Sequence, residues 1–361
     1  MELPMSEIAQ EFDDGSESGR KPRRIGLDLG AYETRFVLPA DDGESEPKTV
    51  VVPTLLCYSR QEAEPVRFSC IGEKALSRRD HMRLVQPFRA GLEGRGLILR
   101  DFAHHLRDLT QKRGEPSPWA VVNCSVAASE EEKAMKRTIA NELFDRVLFV
   151  DDSFLLAIGL ASQEVCQHSI LIDVGASAIR GALMHGETPS PEEHVEAQYG
   201  GFRVDDALRR SFSLRYPELV LTAWTLSKLK EALAFVAPAR RSCELRLQYR
   251  GKEKLVDVTE VILEACSSLV RPLLRVARGL LALCPSDEIE AFQRNIVLAG
   301  GCAEVPGLVA RVEAELRADG FELARVRKAS DAKMLVARGA QRWAQLLRED
   351  QWSIPLFSFA R

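Results

Sequence analysis

Two stretches of the chain repeat one pattern of apolar and polar positions. "IGLDLGAYETRFVL" (Ile25–Leu38) and "ILIDVGASAIRGAL" (Ile170–Leu183) each run apolar residues into Asp-x-Gly. Small or polar residues follow, then a second apolar run led by an arginine seven places after the Asp. An apolar run, a glycine turn and a second apolar run predict a strand–turn–strand hairpin in each place. Past the first hairpin and the acidic loop "DDGESEPK", "TVVVPTLLCY" continues a meandering sheet. Helical text in "RDFAHHLRDLTQKRG" is followed by strand "WAVVNCSV" and a helix from Ser129, where "SEEE" forms a capping box with Glu132. Strand "RVLFVDD", helix "SFLLAIGLAS" and strand "SILIDVG" continue the alternation, which predicts an α/β domain with a largely buried sheet.

Beyond the second hairpin the pattern predicts helices over "RVDDALRRSFSLRY" and around Leu226–Phe235, and a charged hairpin in "SCELRLQYRGKEKLVDVT". "TEVILEACSSLVRPLLRVARGLLALC" is apolar at helical spacing, and Pro272 is expected to break or kink it. "NIVLAGG" reads as a last buried strand ending in glycines. "VPGLVARVEAELRADG" and "DAKMLVARGAQRWAQLL" read as helices.

With 361 residues, 45% of them hydrophobic, the chain is long enough to divide its core between two domains. The net charge of -4 gives no general attraction to phosphate backbones or anionic lipid, so nucleic acid is not an expected partner. Eight cysteines occur without C-x-x-C or Cys/His spacing, which predicts reduced thiols rather than a disulfide scaffold or a metal site. Residues 1–23 are polar and glycine-containing and read as a flexible leader with no signal-peptide core. No segment offers the roughly 18 apolar residues of a membrane span, and the chain is read as cytoplasmic.

A strand that ends in Asp-x-Gly and turns directly into another presents backbone N–H groups with little cover. That concavity suits phosphate oxygens, and the Asp can face a hydrated divalent cation. One such turn also occurs for steric reasons alone. Two copies in a duplicated domain pair would face each other across a cleft and clamp a triphosphate. "NIVLAGGCAEVPGL" (Asn295–Leu308) adds a strand ending in Gly300-Gly301, where a flat base can approach bare backbone. No Walker A pattern or strand-linked G-x-G-x-x-G is present.

Together these segments resemble the actin, Hsp70 and sugar-kinase superfamily, and within it the bacterial actins of the MreB and MamK branch, from Arg24 to about Leu347. "VQPFRAGLEGRG" and "VDDSFLLAIGL" stand in place of that branch's segments, and "SPEEHVEAQYGGFRVDDAL", "RYPEL", "LKEALAFVA" and "VDVTE" are similar to its magnetosome-aligning members. The resemblance implies an α/β, actin-like (ribonuclease H-like, duplicated) two-domain fold around a nucleotide cleft. Domain I would span 24–166 with an insert at about 41–85, and domain II 167–327 with an insert at about 203–257. Residues 328–348 would return to domain I, followed by an apolar tail at 349–361.

It also implies ATP with Mg2+ as cofactors. Asp28 and Asp173 would organise the magnesium waters. Gly30, Ala31, Tyr32, Thr34 and Arg35 would form the first phosphate loop, and Gly175 and Ser177 the second. Gly201 and Asp205 would lie beside the nucleotide, Lys230 and Glu231 at ribose and base, and Gly300, Gly301 and Cys302 over the adenine. Asp152 and Asp173 are the candidate catalytic carboxylates. Self-association into filaments is implied, with another bacterial actin or organelle adaptors as further partners, along a magnetosome chain or another intracellular structure.

Departures from the family pattern accompany the match. Ala31 stands where a loop hydroxyl is usual, leaving Thr34 as the available one. Ser177, Ala178 and Ile179 replace Gly-Thr-Thr, and a positive φ at Ser177 would cost roughly 1–2 kcal/mol. Asp152 replaces a water-orienting Glu and is shorter by about 1.5 Å, where a displacement of about 1 Å can cost a hundredfold in rate. Asp151-Asp152 can equally cap the following helix. Arg35 has two readings, a phosphate-oxygen ligand and a solvent-facing strand residue, and Arg180 the same two. The tail "WSIPLFSFAR" can dock on its own domain, a neighbouring subunit or a membrane surface. The expected function is an ATP-binding filament protein. The alternatives are a non-hydrolysing scaffold that modifies another actin's filaments, and a metabolite kinase of the same superfamily.

Overall fold

The computed structural model describes residues 22–40, 46–59, 68–72, 74–75, 82–88, 95–111, 116–160, 167–217, 219, 221–249 and 252–353. The leader, the acidic loop, most of "FRAGLEGRG" and all but the first residues of the apolar tail lie outside them. The chain divides into two compact units, one from residues before 163 joined by those from 334 on, the other from residues 163–333.

The first unit begins with β1 (Arg24–Leu29), β2 (Glu33–Leu38) and β3 (Lys48–Pro53). Three short strands, β4 (Leu56–Ser59), β5 (Phe68–Ile71) and β6 (Met82–Val85), form a separate sheet ordered β5-β4-β6. Helix α1 (Arg95–Thr110), β7 (Trp119–Asn123), α2 (Glu130–Leu143), β8 (Arg146–Val150) and α3 (Asp152–Leu160) follow. The main sheet has the order β3-β2-β1-β7-β8, with β2 antiparallel to both neighbours and β7 and β8 parallel to β1. Ser129 caps α2 by accepting a hydrogen bond from the Glu132 amide at 3.2 Å.

The second unit repeats that plan. It contains β9 (Ser169–Val174), β10 (Ile179–Met184), β11 (His194–Ala197), α4 (Gly201–Arg215), α5 (Ala223–Leu233) and the hairpin β12 (Glu244–Tyr249)–β13 (Lys252–Asp257). Then come α6 (Thr259–Ser267), α7 (Val270–Leu283), α8 (Ile289–Gln293), β14 (Ile296–Ala299), α9 (Leu308–Ala318) and β15 (Val326–Lys328). Its sheet order, β11-β10-β9-β14-β15, has the same sequence of antiparallel and parallel pairings as the first. The two hairpins are therefore the same part of a duplicated sheet.

Two expectations need correcting. The long apolar stretch breaks at Ser268-Leu269, and Pro272 sits inside the first turn of α7, where no intrahelical N–H bond is lost. Cys57 and Cys70 are directly opposite on β4 and β5, 5.4 Å apart at Cα, and joined as a disulfide. They look solitary in sequence because an antiparallel pairing, not a short spacer, brings them together. The remaining described cysteines are free thiols.

The closing helix Leu335–Leu346 packs on α3 and β1 at backbone distance. A Cβ on Gly339 would sit 1.8 Å from the Leu155 carbonyl oxygen, one on Gly159 2.2 Å from that of Leu335, and one on Gly26 2.3 Å from the Gln341 nitrogen. Only bare backbone fits at these crossings. Around them Ile25, Leu27, Phe36, Leu99, Phe102 and Ile139 fill the core beneath the sheet. Gly339→Ala is expected to lower the unfolding free energy by about 3 kcal/mol in a denaturant titration, because the contact is backbone and cannot yield. Gly96→Ala, at a position with nothing within 4 Å, is expected to leave it unchanged or raise it by a few tenths.

Candidate functional site

In the first unit the turn between β1 and β2 is braced from behind. Gly30 is required because a Cβ there would lie 2.4 Å from the Glu33 carbonyl oxygen. Thr54 Oγ1 donates to the Gly30 carbonyl at 2.8 Å and meets Thr34 Oγ1 at 3.0 Å, both threonines being fully buried. The Thr54 amide donates to the Tyr32 carbonyl, and the Leu29 amide to Asn123 Oδ1 at 2.7 Å. Thr34 thus supports the loop and is not the exposed hydroxyl expected from sequence. Ala31 and Tyr32 form the half-exposed rim.

Asp28 and Arg35 are register partners across the hairpin, so their side chains share a face. Arg35 Nη1 donates to Asp28 Oδ2 at 3.0 Å and Nη2 to Glu33 Oε2 at 2.6 Å, with Asp28 buried. Burial alone would lower the arginine pKa, but the charges of Asp28 and Glu33 and their hydrogen bonds outweigh it and hold it above its ordinary value. Arg35 is therefore a charged, largely enclosed partner of Asp28 and Glu33 rather than a solvent-facing strand residue.

In the second unit Asp173 is opposite Arg180 in the same register, and Arg180 is opposite Glu196 on β11, with Nε 3.4 Å from Oε1. The Gly175 amide donates to the Ala178 carbonyl at 3.0 Å, closing the turn. Ser177 is exposed at its tip and is not among the described residues with positive φ, so the expected strain is absent. The amides of Gly201 and Phe202, opening α4, donate to the carbonyls of Gly175 and Ala176 at 3.1 and 2.9 Å. Lys230 on α5 reaches the Gly201 carbonyl at 2.9 Å and Asp205 at 2.8 Å.

Gly300 has φ +83°, and a Cβ there would lie 2.2 Å from Asp173 Oδ1, so the backbone passes directly over that carboxylate. Cys302 Sγ donates to the Gly175 carbonyl at 3.4 Å, and burial raises its pKa, keeping the thiol protonated. A Cβ on Gly301 would meet only Lys333 Cε, at 4.0 Å, so the backbone there is open on that side. Asp173, Gly175, Gly201, Asp205, Lys230, Gly300 and Cys302 thus form one connected group within this unit. Glu231 pairs with Lys228 at 2.7 Å on a more exposed stretch of α5.

Asp151 and Asp152 divide their duties. Asp151 Oδ1 accepts from the Ser153 and Phe154 amides at 2.8 and 3.3 Å, and Oδ2 from the Val126 amide at 3.0 Å. It is the cap of α3, and Asp152 is left as a buried carboxylate at the helix start. Glu33 and Thr54 are the residues that sequence reasoning passed over, while the cap read for Asp151-Asp152 falls to Asp151. Glu33 carried a signal, since positions two apart on a strand share a face and place it beside Arg35.

The open backbone at Gly301 and the glycine-walled turns fit a nucleotide. Among the described residues no group of three or more His, Cys, Asp or Glu side chains could hold a metal by itself. Asp28 gives Oδ2 to Arg35, and Oδ1 is the oxygen that would face the waters of a magnesium ion.

The family model described as MreB/Mbl protein matches residues 23–351. The actin-like protein MamK of Paramagnetospirillum magneticum is 28% identical over 353 residues, spanning 94% of this chain and 97% of that one. MamK of Magnetospirillum gryphiswaldense is 27% identical over 366 residues, spanning 98% and 97%. A structure titled MamK double helical filament matches with a TM-score of 0.79 at 24% identity, covering 91% of this chain and all of that one. A non-polymerising MamK mutant bound to AMPPNP matches with a TM-score of 0.62 at the same identity and coverage. The fold is actin-like.

Asp151→Ala removes a buried acceptor from three amides, and is expected to cost about 3 kcal/mol in a denaturant titration. Asp151→Asn, which keeps one acceptor oxygen, is expected to recover part of that loss.

Proposed function

The chain belongs to the MreB/Mbl family, and from that premise we propose that it binds ATP and assembles head to tail into cytoplasmic filaments. The observation that carries this reading is the hairpin built twice, once per unit, in sheets of identical order and with the same Asp-to-Arg register. In this reading the two Asp-x-Gly turns hold the phosphates, Gly201, Asp205, Lys230 and Glu231 meet the ribose and base, and Gly300 to Cys302 cover the adenine. Asp173 orients the waters of a magnesium ion carried in on the phosphates. The AMPPNP-bound MamK structure supports a nucleotide as ligand, and the MamK filament structure supports self-association. Contacts that repeat head to tail without closing give filaments. The likeness to MamK supports a cargo of magnetosomes or another intracellular body.

A second reading, a filament or partner protein that does not hydrolyse its nucleotide, is favoured by one observation. The candidate water-orienting position holds Asp152, a short buried carboxylate, while its neighbour Asp151 is consumed as a cap. A hydrolytic water placed by Asp152 would be held about 1.5 Å from its place beside a longer glutamate.

High-speed pelleting with and without magnesium-ATP, read beside phosphate release in the same tubes, separates these. Nucleotide-dependent pelleting with phosphate release supports a working filament ATPase, and pelleting without release supports the non-hydrolysing reading. Absence of pelleting in every condition contradicts self-assembly and leaves a partner-dependent role. Asp152→Glu, restoring the longer carboxylate, is expected to raise phosphate release about tenfold or more if the shortened side chain limits it.

A further inference from the structure

Resting on the cytoplasmic, nucleotide-binding reading above, we propose that Cys57 and Cys70 form a reversible thiol–disulfide site that exchanges with a small thiol of the glutathione class. Its redox state sets how firmly the first Asp-x-Gly turn is held.

The sheet builds the pair. Antiparallel register puts Cys57 on β4 directly opposite Cys70 on β5, with Cα atoms 5.4 Å apart, inside the span that a disulfide bridges without backbone movement. Their strand neighbours Leu56, Tyr58 and Ile71 belong to the core of the first unit, so the two cysteines point to the other face of the small sheet. The bond therefore forms or breaks without taking a side chain out of that core. A cytoplasm keeps most thiols reduced, and the disulfides found there are chiefly transient, catalytic or redox-sensing. A bridge in this chain fits a couple that cycles better than a permanent staple.

The small sheet also gives the sulfurs a way out. β5 stands at one end of the order β5-β4-β6, and its pairing with β4 is irregular between Cys57 and Tyr58. β6 pairs β4 regularly from Leu56–Val85 to Ser59–Met82. β5 is thus the strand that lifts first, carrying Cys70, which is 7% exposed where Cys57 is fully enclosed. In the oxidising direction the Cys70 thiolate attacks one sulfur of glutathione disulfide, and a glutathione thiolate leaves. The Cys57 thiolate then attacks the Cys70 sulfur, closing the bridge and expelling a second glutathione thiolate. Two protein thiols lose two electrons, glutathione disulfide gains them, and the two thiol protons end on the released thiolates. Excess glutathione runs the same steps backwards. Cys124, Cys243, Cys266, Cys284 and Cys302 are held protonated by burial, the first, third and fourth with pKa values pushed up to about 11, so they compete poorly as thiolates.

The bridge lies next to the brace of the first turn. Thr54, three residues before Cys57, donates its hydroxyl to the Gly30 carbonyl at 2.8 Å and its amide to the Tyr32 carbonyl at 2.9 Å. The residue between Thr54 and β4, Leu55, accepts from the Gly72 amide at 2.8 Å, just past the end of β5. Two ties therefore clamp β5 to the segment that follows Thr54, the Gly72–Leu55 hydrogen bond and the disulfide. The disulfide closes a separation of 13 residues, and a loop of about that size makes local opening rarer by on the order of a hundredfold. Oxidation keeps the clamp shut, and reduction leaves it to one hydrogen bond and the strand pairing.

The test equilibrates the full chain in glutathione buffers, one rich in the disulfide and one in the thiol. The fraction of Cys57 bridged to Cys70 is read by alkylation and mass spectrometry. Amide hydrogen exchange without nucleotide and calorimetric titration with ATP are then measured on each form, for the wild type and for Cys70→Ala. The expected result is a bridge that closes and opens reversibly. Reduction should speed exchange of the Thr54 and Gly72 amides about tenfold or more and weaken ATP binding about threefold or more. Cys70→Ala should match the reduced wild type in both buffers, and if it fails to fold the two wild-type forms decide the question. A bridge that survives a hundredfold excess of reduced glutathione, or never closes in glutathione disulfide, overturns the inference, as do exchange rates or ATP affinities equal in the two forms. Absence of ATP binding in both forms overturns the nucleotide reading instead, and the Thr54 and Gly72 exchange rates still decide this one.

Discussion

The pairing of an aspartate with an arginine straight across a tight hairpin is the constraint on which the rest of the site depends. A glycine turn between two strands fixes the register, and the register fixes which residues share a face. In the first unit this sets Asp28 against Arg35, and in the second Asp173 against Arg180. In the first unit, moving the turn by one residue would turn Arg35 toward the core and Phe36 away from it. Turn, ion pair and core therefore stand or fall together. The duplication of sheet order shows why the pattern is written twice in the chain.

What holds each turn in place differs between the units. In the first, the hydroxyls of Thr34 and Thr54 and the amide of Asn123 support the turn from behind. Bare glycines at 26, 159 and 339 let the closing helix lie directly on β1 and α3. In the second, the support comes from the start of α4 and from Gly300, whose positive φ carries the chain over Asp173. Lys230 ties α5 to the same corner through Gly201 and Asp205. The first site rests on side-chain hydroxyls and the second largely on backbone, so the second tolerates Ser177 and Ala178 where the turn itself is closed by Gly175 and Ala178 main-chain groups.

Much of this was legible in the sequence because it is carried by local pattern. The two hairpins, β7, β8, β14 and most helices follow from apolar periodicity, and the repeat exposed the duplication. What stayed hidden depends on distant pairing. The short edge strands β11 and β15 have little pattern of their own and exist because a neighbour supplies hydrogen bonds. The Cys57–Cys70 bridge needs the β4–β5 register. The helix break at Ser268-Leu269 was misread because a proline in the first turn of a helix is accommodated there rather than disruptive. At the site, Arg35 was read as a phosphate ligand or a solvent-facing strand residue, and its carboxylate partners were missed. An Asp and an Arg seven apart around a four-residue turn must face each other, and Glu33 two residues earlier must join them.

The proposed function assigns a nucleotide to the Asp-x-Gly turns and the Gly300 loop. Hydrogen–deuterium exchange with and without ATP tests it most directly. Slowed exchange concentrated in Gly30–Glu33, Gly175–Ser177 and Gly300–Glu304 together is the result this account predicts. Protection of none of these segments at saturating ATP, or protection confined to other parts of the chain, would contradict it.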